Sequence, residues 1–387
     1  MTSFTAQRLL TANGSVECPR VIVDDDGIIF AIEPGQHGTD DGILAPAFFD
    51  IHVHGAAGHD VMEATPEALG KIGAFLASRG VAHYLATTVT APLDTTLRAL
   101  EGLANVIEAA ATNYDFVAAK PVGIHLEGPF ISHAKRGVHA ERDLQPAKVS
   151  IFQKFQQAAH GHIKLMTVAP ELPEALELIE YAVAEGTQVS IGHSDATATE
   201  ARAAIVAGAV SATHTFNAMR RLDHRDPGIA AVVLTSEDLY AELICDGVHV
   251  APEFVRMWLA AKGEDRAILV TDGISATGMP DGNYRLGELD VAVEANRCLL
   301  ASSLANGVET LAGSVLTMDR AVARLRRYTG ATLATAVRLA THNPAQMLGL
   351  DGLGTITVGS PANFNVFTSD GHLQQTILCG RPVSPIH

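Results

Sequence analysis

The sequence predicts an α/β chain: a (β/α)8 barrel that carries a small β-sandwich built from both chain ends. Three observations carry that prediction. Eight short apolar runs alternate with longer helical patterns between about residue 45 and residue 349. Several of the runs are near-continuous Val, Ile, Leu and Ala, as expected of parallel strands buried on both faces. The two chain ends read instead as short strands between turn signals, and neither is long enough to build a core alone. A doubly wound open sheet is the alternative arrangement of the central part.

Taken in order, residues 1–44 hold strand-like pieces at 20–23 and 28–32 around an Asp25-Asp26-Gly27 hairpin signal. The eight central runs fall at 47–53, 82–89, 121–126, 164–168, 188–191, 210–213, 240–245 and 267–270. Between them, Pro173-Glu174-Ala175 opens a helix whose Ala175, Leu178, Ile179, Ala182 and Val183 share one face, with Gly186 after its end. Asp94 reads as the N-cap of another, carrying Leu97, Leu100, Ala104 and Ile107. The last stretch reads as strand-like pieces at 354–358, 363–367 and 376–378, with a Gly359-Ser360-Pro361 turn. The predicted division is 1–46 with 352–387 for the sandwich and 47–351 for the barrel. Eight strand–helix units over about 300 residues is the pattern of such a barrel.

Composition narrows the function. The chain has 387 residues, 47% hydrophobic but only 5% aromatic, so its core rests on aliphatic side chains. A net charge of −16 argues against nucleic-acid and anionic-membrane partners, which need basic surface. An anionic small substrate then needs a local cationic pocket. The 4 cysteines are widely spaced and read as reduced thiols of a cytoplasmic protein. The first residues show no apolar signal core, and no run is long enough to span a membrane.

Chemistry enters at the strand ends. Phe48-Phe49-Asp50-Ile51-His52-Val53-His54 closes an apolar run on two histidines one residue apart, which on a strand share a face. With 17 His, roughly one such pair arises by chance. The chain has a second, His160-Gly161-His162, placed before the fourth run, at the opposite rim. Active sites of such barrels sit at the C-terminal strand ends. There the sequence delivers His52 and His54, then Glu127, His193, His214, His249 and Asp272. Six of eight strands thus send a metal- or proton-competent side chain to one rim. His125, two residues before Glu127, reads as a supporting residue and not a ligand.

Four histidines and one glutamate offer nitrogen and oxygen donors without thiolate. That set suits Zn²⁺ and accepts Fe²⁺, Mn²⁺ or Co²⁺. A divalent ion lowers the pKa of water it holds to about 7, and Asp272 on the eighth strand is placed to take that proton. The competing reading of Asp272 is a turn acid before Gly273.

These residues carry a family resemblance. Gly123-Ile-His-Leu-Glu-Gly-Pro-Phe130, Lys135-Arg-Gly-Val-His139, Ile191-Gly-His-Ser-Asp195, Thr213-His-Thr-Phe-Asn-Ala-Met219, Cys245-Asp-Gly-Val-His249, Val270-Thr-Asp-Gly273 and Leu311-Ala-Gly-Ser314 stand out. Over essentially its whole length the chain resembles the amidohydrolase superfamily, and within it the N-acetylglucosamine-6-phosphate deacetylases. The resemblance implies hydrolysis of the substrate acetamide to glucosamine 6-phosphate and acetate in amino-sugar metabolism. It implies a shared metal on Glu127, His193 and His214, with His52 and His54 able to hold a second. Asp272 is implied as general base and then acid, and His139 as the group polarising the acetamide carbonyl. Substrate contacts are implied at Val138, Asn217, Ala218, Asp246, Gly247, Val248, Thr310, Leu311 and Ala312. The phosphate is implied to meet Arg225 and His249, both arriving from the neighbouring subunit of a homodimer. An amidohydrolase acting on a cyclic amide or an N-acyl amino acid would show a carboxylated lysine ending strand four, whereas Lys164 begins it. A non-catalytic relative used for binding would lose ligands or the strand-eight acid, and this chain keeps both.

Overall fold

Eight parallel strands run in chain order around one sheet: β1 Phe48–Val53, β2 Val81–Thr88, β3 Lys120–Glu127, β4 Ile163–Val168, β5 Gln188–Ile191, β6 Ser211–Ala212, β7 Tyr240–Ile244 and β8 Ala267–Val270. The ring closes between its ends. Val53 bridges Gly273, and the Asp272 N–H donates to His52 O at 2.9 Å. The computed structural model describes residues 1–12, 14–35, 42–112, 117–305, 307 and 309–384; the other positions of the two predicted domains lie outside the described residues.

The continuous apolar runs explain the closure. Every residue of β1 and β8 is buried, because one face fills the barrel and the other meets the helices. Observed strands match the predicted runs to within a residue or two. The shortest is β6, Ser211–Ala212, where the chain turns out of the ladder at His214, whose φ is 28°.

Two helix starts differ from expectation. The helix Ala175–Ala184 begins two residues after Pro173, because Glu174 takes a left-handed conformation. It buries Ala175, Leu178, Ile179 and Ala182 as its periodicity predicts, but leaves Val183 37% exposed. The helix Leu93–Thr112 starts one residue before Asp94, so this carboxylate lies in the first turn and is not the N-cap. There it still complements the helix dipole.

Both chain ends meet in one six-stranded sheet. Its order is Arg381–Pro382, Leu373–Leu378, Phe364–Phe367, Ile43–Pro46, Arg8–Thr11, Gly14–Glu17. A three-stranded sheet of Thr2–Thr5, Pro19–Val23 and Ile29–Pro34 packs with it over Leu9, Val21, Ile29, Leu44 and Phe364. The hairpin signal forms: Asp24 Oδ1 accepts the N–H groups of Asp26 and Ile28 at 3.1 and 2.8 Å, and Gly27 has φ 79°. Residues 354–358 form no strand, contrary to prediction. Ser360 Oγ donates to Thr357 O at 2.7 Å and Gly359 takes φ 89°, so this irregular stretch ends in a turn at 357–360.

One element was not anticipated. Gly282–Leu286, Leu289–Glu294 and Arg297–Leu300 form an antiparallel sheet beyond β8, with a small core of Ile274, Leu286, Val291, Val293, Cys298 and Ala312. Gly287 N–H donates to Asp60 Oδ2 at 2.7 Å and ties this sheet to the segment after β1.

Candidate functional site

The predicted residues converge at the C-terminal ends of the strands. His52 and His54 come from β1, Glu127 from the end of β3, and His193 and His214 from the turns after β5 and β6. Asp272 follows β8. Glu127 is the hub. Its Oε1 lies 3.1 Å from His214 Nε2 and 3.3 Å from both His52 Nε2 and His193 Nε2. Its Oε2 lies 3.1 Å from His54 Nε2 and 3.5 Å from His139 Nε2. Asp272 Oδ1 sits 3.2 and 3.5 Å from His54 and His52 Nε2.

Hydrogen bonds on the far side of His52, His54, His193 and His139 fix which nitrogen of each carries the proton. His54 Nδ1 lies 3.1 Å from Thr87 O and His193 Nδ1 2.9 Å from Lys135 O. A carbonyl only accepts, so both rings donate from Nδ1 and turn a lone pair on Nε2 inward. His52 Nδ1 faces a carboxyl oxygen of Glu242 at 3.2 Å, to the same effect. His139 is the opposite case. The Thr90 N–H donates to its Nδ1 at 3.2 Å, so its proton sits on Nε2. His139 therefore presents a donor where the others present lone pairs.

Two groups of three are close enough to share an ion: His52, His54 and Asp272, and Glu127, His139 and His193, each with donor atoms within 4.8 Å of one another. His214 belongs with the second group, since its Nε2 lies 3.0 Å from His193 Nε2. Since His139 presents a donor there, His214 takes its place in that group. His52 Nε2 is buried and makes no hydrogen bond among the described residues, despite its carboxylate neighbours. An orphaned, inward-facing imidazole nitrogen beside two carboxylates fits a divalent cation.

The electrostatics agree. Burial alone would depress the imidazoles, but Asp272 and Glu127 outweigh it, lifting His54 to about 9 and His52 well above its ordinary value. Burial would likewise raise Asp272, and the facing His52 and His54 hold it down at about 2. Glu127 is held well below the carboxylate range by the same surroundings. His139 goes the other way, pushed by burial down to about 4. A site that strengthens positive charge on its histidines is one that favours a cation.

The turns that present these groups are strained. His193, His214 and Asp272 have φ of 46°, 28° and 52°. Left-handed non-glycine residues cost about 1–3 kcal/mol each and persist only where surrounding bonds hold them. Here Ser194 N–H donates to Ala218 O at 2.9 Å, and Ser314 N–H to Asp272 O at 2.7 Å. Glu171 accepts from Ser194 Oγ and the Asp195 N–H at 2.7 and 2.6 Å.

These groups open into a cavity of about 330 Å³. Val138, Asn217, Ala218, His249, Thr310 and Leu311 line it, and Val89, Leu286 and Glu309 join them. Leu286 and Glu309 come from the unanticipated sheet and the segment after it. A cavity of about 540 Å³ at the opposite barrel end has no comparable donor cluster among the described residues.

Several expectations are corrected. His249, expected from a neighbouring subunit, lines its own chain's cavity as well. Asp246 does not line the cavity: its Oδ2 lies 2.6 Å from His249 Nδ1, and its Oδ1 accepts the N–H groups of Val248 and His249, both at 2.8 Å. It orients His249, and Gly247 and Val248 form the turn between them. Ala312 is fully buried in the small core, its N–H donating to Cys298 O at 3.0 Å. Arg225 is exposed on the loop after β6, outside its own cavity. His125 lies below the hub, 2.8 Å from Thr167 Oγ1, with its ring centre 4.7 Å from that of His52. No helix among the described residues is long and apolar enough to cross a membrane.

Comparison with known proteins follows the same line. The Amidohydrolase family model matches residues 43–383. The N-acetylgalactosamine-6-phosphate deacetylase of Escherichia coli O157:H7 is 35% identical over 383 residues, 98% of either chain. The N-acetylglucosamine-6-phosphate deacetylase of Bacillus subtilis strain 168 is 36% identical over 342 residues, 88% of this chain and 84% of its own. The solved structure of a mutant N-acetyl-D-glucosamine-6-phosphate deacetylase from Mycobacterium smegmatis, in complex with N-acetyl-D-glucosamine-6-phosphate, superposes with a TM-score of 0.91. It is 32% identical, with 99% of this chain and 100% of that chain covered.

Proposed function

Since the chain belongs to the amidohydrolase family, we propose that it hydrolyses the acetamide of N-acetyl-D-glucosamine 6-phosphate to D-glucosamine 6-phosphate and acetate. The observation that carries this reading is the convergence of four imidazole Nε2 atoms on Glu127, with Asp272 and the His139 donor beside them. In it Glu127, His193 and His214 would hold one divalent ion, and His52 and His54 would hold a second, with Asp272 beside them as the proton acceptor. Zinc is the first choice for a nitrogen and oxygen donor set. A bound ion supplies Lewis-acid polarisation of the acetamide and acidifies the attacking water.

The protein's own groups do the rest. Asp272 is ionised at neutral pH, so it accepts a proton from the attacking water and returns it to the nitrogen as the C–N bond breaks. His139 donates from Nε2 to the acetamide oxygen, where charge develops. Val138, Leu286 and Leu311 offer an apolar wall for the acetyl methyl. His249 and the loop at Asn217 and Ala218 face the phosphate. Arg225 of the partner subunit in a homodimer completes that pocket, which suits its exposure and its absence from its own cavity. The four free cysteines fit a reducing, cytoplasmic setting.

A second reading is favoured by one observation. The Escherichia coli relative, matched over nearly its full length, is named for the galacto epimer. Acetate release from the two N-acetylhexosamine 6-phosphates and from unphosphorylated N-acetylglucosamine separates the cases. The proposal expects the gluco phosphate to lead. A lead for the galacto phosphate assigns the epimer, and equal rates with the unphosphorylated sugar sink the phosphate reading.

A further inference from the structure

Glu242 belongs to none of the groups described above, yet it is fully buried in the barrel interior on β7. Its run is otherwise apolar: Tyr240-Ala-Glu-Leu-Ile244. Burying a carboxyl group there is costly without compensating bonds. Its Oε2 lies 3.2 Å from His52 Nδ1 and accepts the His214 N–H at 3.3 Å. Its Oε1 has no partner among the described residues. An apolar side chain of similar size would fill the same space without that cost. The carboxyl group thus has a use other than packing.

We infer that Glu242 is a positioning residue that makes the His52 seat competent for a divalent cation. This rests on the two-seat reading given under the proposed function. The inward-facing histidines use different partners. His54 and His193 lean on neutral backbone carbonyls, whereas His52 alone leans on a carboxyl group. A carboxyl oxygen at Nδ1 holds the ring's proton on that side and leaves Nε2 as a stronger donor to a metal. His52 needs this most, because its Nε2 is the inward nitrogen without any hydrogen bond of its own. The same oxygen also holds the backbone of His214, a donor of the other seat. One atom therefore spans both seats, bearing on His52 through its ring and on His214 only through its main chain.

The test is zinc titration of the metal-free protein against a chromophoric chelator, for the unaltered chain, Glu242→Gln and Glu242→Leu. The unaltered chain takes two equivalents. Glu242→Gln keeps the shape and an acceptor oxygen, and weakens the His52 seat by about 10-fold; Glu242→Leu weakens it by about 100-fold. The other seat changes far less, and the melting temperature of the metal-free variants does not fall. The isosteric Gln variant keeps the test readable if the Leu variant does not fold. Fewer than two equivalents in the unaltered chain sinks the two-seat reading and this inference with it. Two equivalents, with both variants binding like the unaltered chain, sinks the inference alone. Equal weakening of both seats together with a lower melting temperature also overturns it, since Glu242 then serves the fold.

Discussion

The chain contains two His-x-His pairs, and the fold puts them to opposite uses. His52 and His54 are buried at a strand end, with both Nε2 atoms turned toward Glu127 and Asp272. His160 and His162 sit in a left-handed turn at the other rim, where His160 and Gly161 have φ of 49° and 81°. They too approach one carboxylate, Glu108, at 3.1 and 3.3 Å. That carboxylate is half exposed and water competes for all three groups. The difference lies in the surroundings, not in the motif. A strand end collects donors from other strands, and a surface turn collects none.

The comparison can be broken at the acid beside the first pair. Asp272→Asn preserves shape but cannot accept a proton, so turnover should drop by about 10²- to 10⁴-fold with metal content unchanged. Near-normal turnover would return Asp272 to the role of a turn residue. Next, replacing both His52 and His54 by Asn should remove one equivalent of metal and leave the other, as read by metal analysis. Loss of both equivalents would mean one shared site, and loss of neither would make the pair structural.

A smaller effect is expected at the cavity mouth. A chain of net charge −16 must gather positive charge locally to hold an anionic sugar. Arg225→Ala should raise KM for the phosphorylated substrate by about 10- to 150-fold, the worth of a charge-assisted contact, and barely affect the unphosphorylated sugar. Equal losses on both would assign Arg225 to the fold. Arg220 is the wrong arginine for this test, because it already pairs with Asp226 at 2.7 Å and donates to Asp195 O at 3.1 Å. Smallest of all, replacing His160 and His162 by Asn should leave metal content, turnover and melting temperature unchanged. A lost metal equivalent there would overturn the distinction between the two pairs.

Much of this was legible in the sequence, for identifiable reasons. Parallel strands buried on both faces leave runs that few other structures produce, so β1 and β8 could be read almost to the residue. The rim followed from them, because each strand end fixes where the next polar residue points. The sheet at Gly282–Leu300 was missed although its signal is present. Leu289-Asp-Val-Ala-Val-Glu294 alternates, and Ala295 and Asn296, with φ of 49° and 66°, form the two-residue turn of a hairpin. The regular strand–helix rhythm masked it. The pairing of Asp246 with His249 was also hidden, since spacing alone does not say whether a carboxylate faces a ligand or its own turn. Glu242 left one clue, a lone carboxyl group in an apolar run, whose meaning depends on His52 standing across the barrel.

The rim with the buried pair reads as a metal-dependent deacetylating site for a phosphorylated amino sugar. Its most direct test is acetate release from N-acetylglucosamine 6-phosphate by chelator-treated protein, before and after zinc is restored. Release should be negligible without metal and recover on adding zinc, and it should be much slower from the unphosphorylated sugar throughout. Undiminished release by protein shown to be free of metal would contradict that reading.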